Sequence, residues 1–189
     1  MLSFGFSVLG FVLGSFPFSV LLAKLCGKDI RKIADGNPGA TNAWRAGGPK
    51  IGVPALLLDF FKGAIPVYLA VWAGISGWGL VPVIISPPLG HAFSPWLRFR
   101  GGKSVAVTFG VWAGATTWCV PTVLGGIFIL GKLFGISDSY MVMLGSTGVL
   151  IFVGVFFREP ALTAGAGLNL LLLAFTHRKN LGHNSPWRS

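Results

Sequence analysis

Seven apolar segments occupy most of this chain and constrain its fold more than any motif does. They run Leu2 to Leu25, Ile51 to Ile75, Trp78 to Leu97, Val105 to Trp118, Pro121 to Leu133, Tyr140 to Phe157 and Ala161 to Phe175. A membrane-spanning helix needs about 20 apolar residues at a rise of about 1.5 Å each. The fourth and fifth segments fall short, so they either thin the bilayer or form a helical hairpin that does not fully cross, turning near Pro121. Only 11% of the residues are charged and the mean hydropathy is +0.74, whereas charged residues make up about 25% of a soluble domain. The fold expected is an all-α integral membrane protein of seven transmembrane helices, with residues 1–189 forming a single membrane-embedded domain and no internal repeat.

If the segments alternate across a membrane, the basic residues sort to one side. Lys24, Lys28, Arg31, Lys32, Arg45 and Lys50 surround the first loop, Arg98, Arg100 and Lys103 the third, Lys132 borders the fifth segment, and Arg178, Lys179 and Arg188 fill the tail. The other side carries only Arg158. By the positive-inside rule the amino terminus faces out and the tail faces the cytoplasm. Losing one crossing would scatter these charges over both faces, so the pattern supports seven. It also accounts for the net charge of +10 without nucleic acid as a partner. The first segment has neither a basic start nor a clear small-residue cleavage site and is expected to be a retained span. Cys26 and Cys119 show no CxxC pairing or metal-ligand spacing and are expected to be small core residues.

The polar residues able to do chemistry gather on the cytoplasmic side. Asp35 to Asn42 reads DGNPGATN, a composition unsuited to a spanning helix. Gly36 and Gly39 permit backbone angles that turn successive N–H groups toward an anion. Asn37, Thr41 and Asn42 add short donors, and Arg45 offers a fork for phosphate oxygens; a plain Asn-Pro-Gly turn is the alternative. A second group, Arg98 to Ser104, reads RFRGGKS. Here Gly101, Gly102 and Lys103 precede a helix and form an expected anion cradle, with Arg98 and Arg100 as anchors at the membrane surface. A Walker A loop would need glycine at position 97, which is Leu97, so a nucleotide triphosphatase has no support.

His91, about two helical turns inside the cytoplasmic boundary, is either a satisfied core histidine or a functional group held at membrane depth. In the tail, His177 and Asn180 share a face if the last helix continues. Ser139, at the start of the sixth segment, caps its helix or meets the same anion. Asp59 and Lys62, three apart within the second span, are expected to neutralise each other. There is no HxxxxD pair, G-x-S-x-G elbow, HExxH or carboxylate cluster for magnesium, and Asp and Glu number five in total. No metal or cofactor is expected. The face offers cations, amides and hydroxyls, which suit holding phosphorylated molecules and stabilising charge that moves between them.

Five stretches carry a resemblance: GSFPFSVLLAKL (Gly14 to Leu25), DGNPGATNAWRAGG (Asp35 to Gly48), LDFFKG (Leu58 to Gly63), GHAFSPWLRFRGGKSVA (Gly90 to Ala106) and THRKN (Thr176 to Asn180). In this order, the whole chain resembles the bacterial acyl-phosphate-dependent glycerol-3-phosphate acyltransferases, the PlsY type. The resemblance implies a seven-helix enzyme of the bacterial inner membrane, its active site facing the cytoplasm. It would transfer an acyl group from acyl phosphate to the sn-1 hydroxyl of glycerol 3-phosphate, giving lysophosphatidate in phospholipid synthesis, and would need neither CoA nor acyl carrier protein. Asn37, Thr41, Asn42, Arg45, Lys103, Ser139, His177 and Asn180 would gather around the two phosphates. His91, Gly101, Gly102 and Ser104 join them as candidate binding residues, and Asp35, Lys103 and His177 are the candidate catalytic residues. The glycerol hydroxyl would attack directly, its proton passing to a substrate phosphate oxygen or to His177.

The chain departs from the family pattern in three places. Asp35 stands where the family usually has Ser, and a carboxylate near two phosphates is repulsive unless Arg45 or Lys103 pairs with it, though it could hold a glycerol hydroxyl. Ser104 replaces the usual Gly after the GGK lysine, adding a hydroxyl and restricting the backbone. Leu181 to Ser189 reads LGHNSPWRS where the family has a basic and apolar stretch ending in Glu. Two other functions fit such a face: transport of a phosphorylated anion, and phospholipid-precursor binding by an inactive relative.

Overall fold

The first apolar run does not stay one helix. In the computed structural model, which describes residues 1–183, Phe16 is extended (φ −62°, ψ 126°) ahead of Pro17, as a residue before proline prefers. The run therefore divides into α1 (Leu2–Ser15) and α2 (Phe18–Leu25). Such a break strips backbone carbonyls of their helical partners, which is costly away from water. Lys62 repairs one of them: its Nζ donates to Phe16 O at 2.8 Å while lying 2.7 Å from Asp59 Oδ1. Ser19 Oγ, on the far side of the break, donates to Asp59 Oδ2 at 2.9 Å. Asp59 and Lys62 thus neutralise each other as expected, and the pair also staples the kink.

The chain continues through α3 (Ala40–Gly47), α4 (Pro49–Trp72), α5 (Val81–Ala92), α6 (Val105–Thr116), α7 (Cys119–Leu133), α8 (Asp138–Phe152) with a π-helical extension at Val153–Phe157, and α9 (Pro160–His183). Four helical stretches are long and apolar enough to cross a membrane: Leu2–Leu25, Pro49–Trp72, Asp138–Phe157 and Pro160–Gly182. The α6 and α7 helices are shorter and form a hairpin. Its turn lies at Thr117 and Trp118, both left-handed, and Pro121 falls in the first turn of α7, where the missing N–H has no partner to lose. Cys26 and Cys119 depart from expectation, because both are exposed. Each lies at a helix terminus, beyond the stretch that packs.

Val67, Ile84, Val111, Trp112, Val120, Val149 and Leu162 join α4 through α9 in one core. Within it, α6 lies on α4 and α5 on α1 so closely that only glycine fits. A Cβ on Gly110 would strike Phe60 O, one on Gly63 would strike Val107 O, and one on Gly14 would strike Pro87 O. Gly110→Ala is expected to destabilise the fold by about 1–3 kcal/mol, read as a lower unfolding midpoint in mild detergent; an unchanged midpoint would show that the α4 and α6 backbones have slack.

The bundle has two distinct ends. At one, Ser3 Oγ donates to Gly79 O, bringing the amino terminus to the α4–α5 connection. The helices alternate, so α3, the start of α6, the start of α8 and the end of α9 share the other. Every described Lys and Arg except Lys62 and Arg158 belongs to that second end.

Candidate active site

Asn42 organises the first polar loop. Its side chain is buried on α3, and Nδ2 lies 2.9 Å from Asp35 Oδ1, 3.0 Å from Ile33 O and 3.0 Å from Asn37 O, so two hydrogens serve three acceptors. Its Oδ1 accepts from the Arg45 guanidinium at 3.1 Å. Asp35 Oδ1 also accepts from the Asn37 N–H at 3.2 Å, an Asx turn across Gly36, whose φ of 67° favours glycine. The anion nest expected from Gly36 and Gly39 does not form, because the Gly36 N–H donates to Ile33 O at 2.9 Å and the Asn37 N–H to Asp35. Gly39 is extended (φ −121°) and its N–H donates to Asn37 O, because it ends the loop as the N-cap of α3. Thr41 and Arg45 remain exposed on that short helix.

The GGKS loop is also built differently from the expected cradle. The N–H groups of Gly101 and Gly102 donate to Ala92 O and His91 O, both at 3.0 Å, so they are committed to the end of α5 and not offered to an anion. Glycine is needed there for close approach: a Cβ on Gly101 would strike His91 O, and one on Gly102 would strike the His91 ring. Ser104 adopts φ 62°, where a side chain is strained, and its buried hydroxyl donates to Pro88 O at 2.8 Å, so it braces the loop and is not turned to substrate. His91 is likewise placed beneath the loop. Its Nδ1 is 3.9 Å from Asp59 Oδ1, which groups it with the buried Asp59–Lys62 pair and away from the exposed cations.

Fixed this way, the loop delivers Lys103 to Asp35. Lys103 Nζ donates to Asp35 Oδ2 at 2.7 Å, so of the two cations that could neutralise this carboxylate it is Lys103, and not Arg45, that does. Partial burial would raise the Asp35 carboxyl, but hydrogen bonds from Lys103, Asn42 and the Asn37 N–H, with the Lys103 charge, outweigh it and hold the group below the ordinary carboxylate value.

Helix α9 supplies the third wall. Thr176, absent from the expected set, brings its hydroxyl to 3.3 Å from Lys103 O and 3.0 Å from Leu173 O, tying α9 to the loop. Its signal was its place at the head of the THRKN stretch. The buried His177 has Nδ1 at 2.9 Å from Leu173 O. A carbonyl only accepts, so Nδ1 carries the hydrogen and Nε2 is left with a lone pair. Because α9 continues to His183, Asn180 shares the His177 face as expected and is half-buried. Ser139 is buried in the first turn of α8, but Ser137 holds the N-cap position, so capping is not its role. Its neighbour Tyr140 donates to Leu181 O at 3.2 Å, joining the start of α8 to the end of α9. Arg188 and the end of the divergent tail lie outside the described residues.

One hydrogen-bonded chain therefore links Arg45, Asn42, Asn37, Asp35 and Lys103, and Thr176 joins it to His177. Comparison with known proteins adds the following. A family model described as glycerol-3-phosphate acyltransferase matches residues 4–184. Glycerol-3-phosphate acyltransferase 1 of Thermotoga maritima is 41% identical over 96% of this chain and 97% of its own length. The glycerol-3-phosphate acyltransferase of Anaeromyxobacter sp. (strain Fw109-5) is 36% identical over 91% of this chain and 87% of its own length. Among solved structures, PlsY (YgiH), an integral membrane glycerol 3-phosphate acyltransferase, in its glycerol 3-phosphate form superposes with a TM-score of 0.89 at 31% identity, covering 95% of this chain and 90% of that one.

Proposed function

We propose that this chain, which belongs to the glycerol-3-phosphate acyltransferase family, draws its acyl group from an acyl phosphate and delivers it to the sn-1 hydroxyl of glycerol 3-phosphate on the cytoplasmic side of a bacterial inner membrane. The chain is an integral membrane acyltransferase, and its work is glycerol 3-phosphate acylation in phospholipid synthesis. The donor, the orientation and the residue roles are the proposal. The observation that carries them is the Asp35–Lys103 contact at 2.7 Å, which closes two polar loops from distant parts of the sequence into one cationic surface beside His177. Seven apolar helical segments, with the basic residues gathered at one end of the bundle, support seven crossings and a cytoplasmic site.

The chemistry asks little covalent work of the protein. Acyl phosphate is a mixed anhydride with a good leaving group. The glycerol hydroxyl oxygen attacks the acyl carbon, the bond from that carbon to the phosphate oxygen breaks, inorganic phosphate leaves, and the hydroxyl proton passes to His177 Nε2. Lys103 and Arg45 hold the two phosphates and stabilise the negative charge that grows on the departing one, with Asn37, Thr41, Ser139 and Asn180 as neutral donors around them. Reconstitution in lipid vesicles with acyl phosphate and labelled glycerol 3-phosphate tests this. Lysophosphatidate and inorganic phosphate are the expected products. Product that required acyl-CoA or an acyl carrier protein would overturn the donor; uptake without product would indicate a transporter, and binding alone an inactive relative.

Asp35 sets the affinity of this surface. Its depressed pKa keeps it charged throughout the neutral range, so substrate phosphates meet a carboxylate already holding Lys103. The contact is present above the ordinary carboxylate value of about 4 and is lost only as the pH falls through the lower, folded-state value. Asp35→Ser keeps a short acceptor for the Asn37 N–H and removes the competing charge. The KM for glycerol 3-phosphate is expected to fall roughly three- to fivefold, equivalent to about 1 kcal/mol for a partly exposed ion pair. A higher KM would mean that the carboxylate holds a glycerol hydroxyl instead.

A further inference from the structure

Deeper in the bundle lies a polar cluster that the acyl transfer does not use. Thr108 on α6, Ser146 on α8 and Asn169 on α9 are 3%, 8% and 2% exposed, and they line one small cavity with Trp112, Leu124 and Val149 around them. At this depth an amide or hydroxyl without a hydrogen bond costs several kcal/mol, on the order of 2–7. Yet among the described residues neither Thr108 Oγ1 nor Asn169 Nδ2 has a partner. Other buried hydroxyls solve the problem within their own helix: Ser146 Oγ donates to Val142 O and Thr116 Oγ1 to Trp112 O, both at 2.6 Å. Thr108 makes no such bond, and a second helix brings another unpaired donor to the same cavity. The space is about 10 Å³ for a sphere the size of water. That is close to the minimum of about 10–15 Å³ that one water needs, and too small for any larger molecule.

We propose that this cavity is the site of a single internal water that bridges α6, α8 and α9. The water accepts from Asn169 Nδ2, shares a hydrogen bond with the Thr108 hydroxyl, and donates to Ser146 Oγ, whose own hydrogen is committed to Val142 O. Three such bonds are the usual complement of a buried water. The bridge clasps three helices whose site-side ends carry Lys103, Ser139 and His177, so it belongs to the scaffold that holds those ends in register. It stands on packing alone and holds whatever the acyl donor proves to be.

The direct test is a crystal structure of the full chain grown from lipid, at a resolution that shows solvent. Expected is an ordered peak about 2.7–3.2 Å from both Thr108 Oγ1 and Asn169 Nδ2. A dry cavity, or an Asn169 amide bonded directly to Thr108 or Ser146, overturns the proposal. A double-mutant cycle gives a second reading. Thr108→Val and Asn169→Leu should each lower the melting temperature, and the double variant should lose less than the sum, because stranding one partner of a shared water is costly while removing both is nearly neutral. Strictly additive losses would count against a shared water.

Discussion

Lys103→Ala is expected to lower kcat/KM for glycerol 3-phosphate at least a hundredfold while the protein stays folded. Two effects add. The ammonium group is the cation that the GGKS loop is shaped to present, and losing one charge-stabilising donor from a preorganised site costs about 10²–10³ in rate. Its removal also strands Asp35, whose carboxylate now sits at 2.7 Å from Lys103 Nζ and would face two phosphates uncompensated. The second effect can be isolated. In Lys103→Ala/Asp35→Ser the repulsion is gone, so the double variant should recover about threefold to tenfold over Lys103→Ala alone, a coupling on the order of 1 kcal/mol. Lys103→Arg should not restore wild-type rates, since a planar fork cannot take the place of a point charge in a loop packed this tightly against His91. Turnover in reconstituted vesicles, with melting temperatures measured alongside, checks all three variants. Normal turnover in Lys103→Ala would remove this residue from the site.

Much of this arrangement was legible in the sequence because it depends on residue type and order. Apolar segments gave the helices, basic residues gave the end at which the candidate site residues gather, and the Asp59–Lys62 spacing gave the buried pair. What could not be read was how backbone donors are spent. Gly101 and Gly102 promise free N–H groups in any linear reading, and only the fold shows that His91 O and Ala92 O already take them. The same holds for Gly39, whose N–H closes a turn with Asn37 O. Pro17 was visible, but its consequence was not. A proline inside an apolar run either kinks one helix or divides it, and the outcome here rests on Lys62 reaching the freed Phe16 carbonyl from a helix more than 40 residues away. Cys26 and Cys119 show the opposite failure, since small apolar type suggested burial while their position at helix ends decided exposure.

His177→Asn is expected to separate the two ways the glycerol hydroxyl could lose its proton. An asparagine amide nitrogen falls near the place of the imidazole Nδ1, so the variant can still donate to Leu173 O, as His177 does at 2.9 Å, and α9 should keep its melting temperature. The variant lacks any counterpart of Nε2. If Nε2 takes the proton, kcat falls by about 10²–10⁴, the usual contribution of a positioned general base, while KM for glycerol 3-phosphate changes little, because Lys103 and Arg45, the cations proposed to bind phosphate, are untouched. The pH profile gives an independent reading. A base must be neutral to accept, so wild-type kcat declines as the pH drops and the imidazole protonates, and the residual rate of His177→Asn should have lost that acid limb. If a substrate phosphate oxygen is the base, the variant keeps kcat within a few-fold of wild type and retains the limb, which then belongs to the substrate. The tautomer favours the first outcome: with Nδ1–H fixed on a backbone carbonyl, the lone pair is held on the ring nitrogen that no donor among the described residues uses, as a general base requires before substrate arrives.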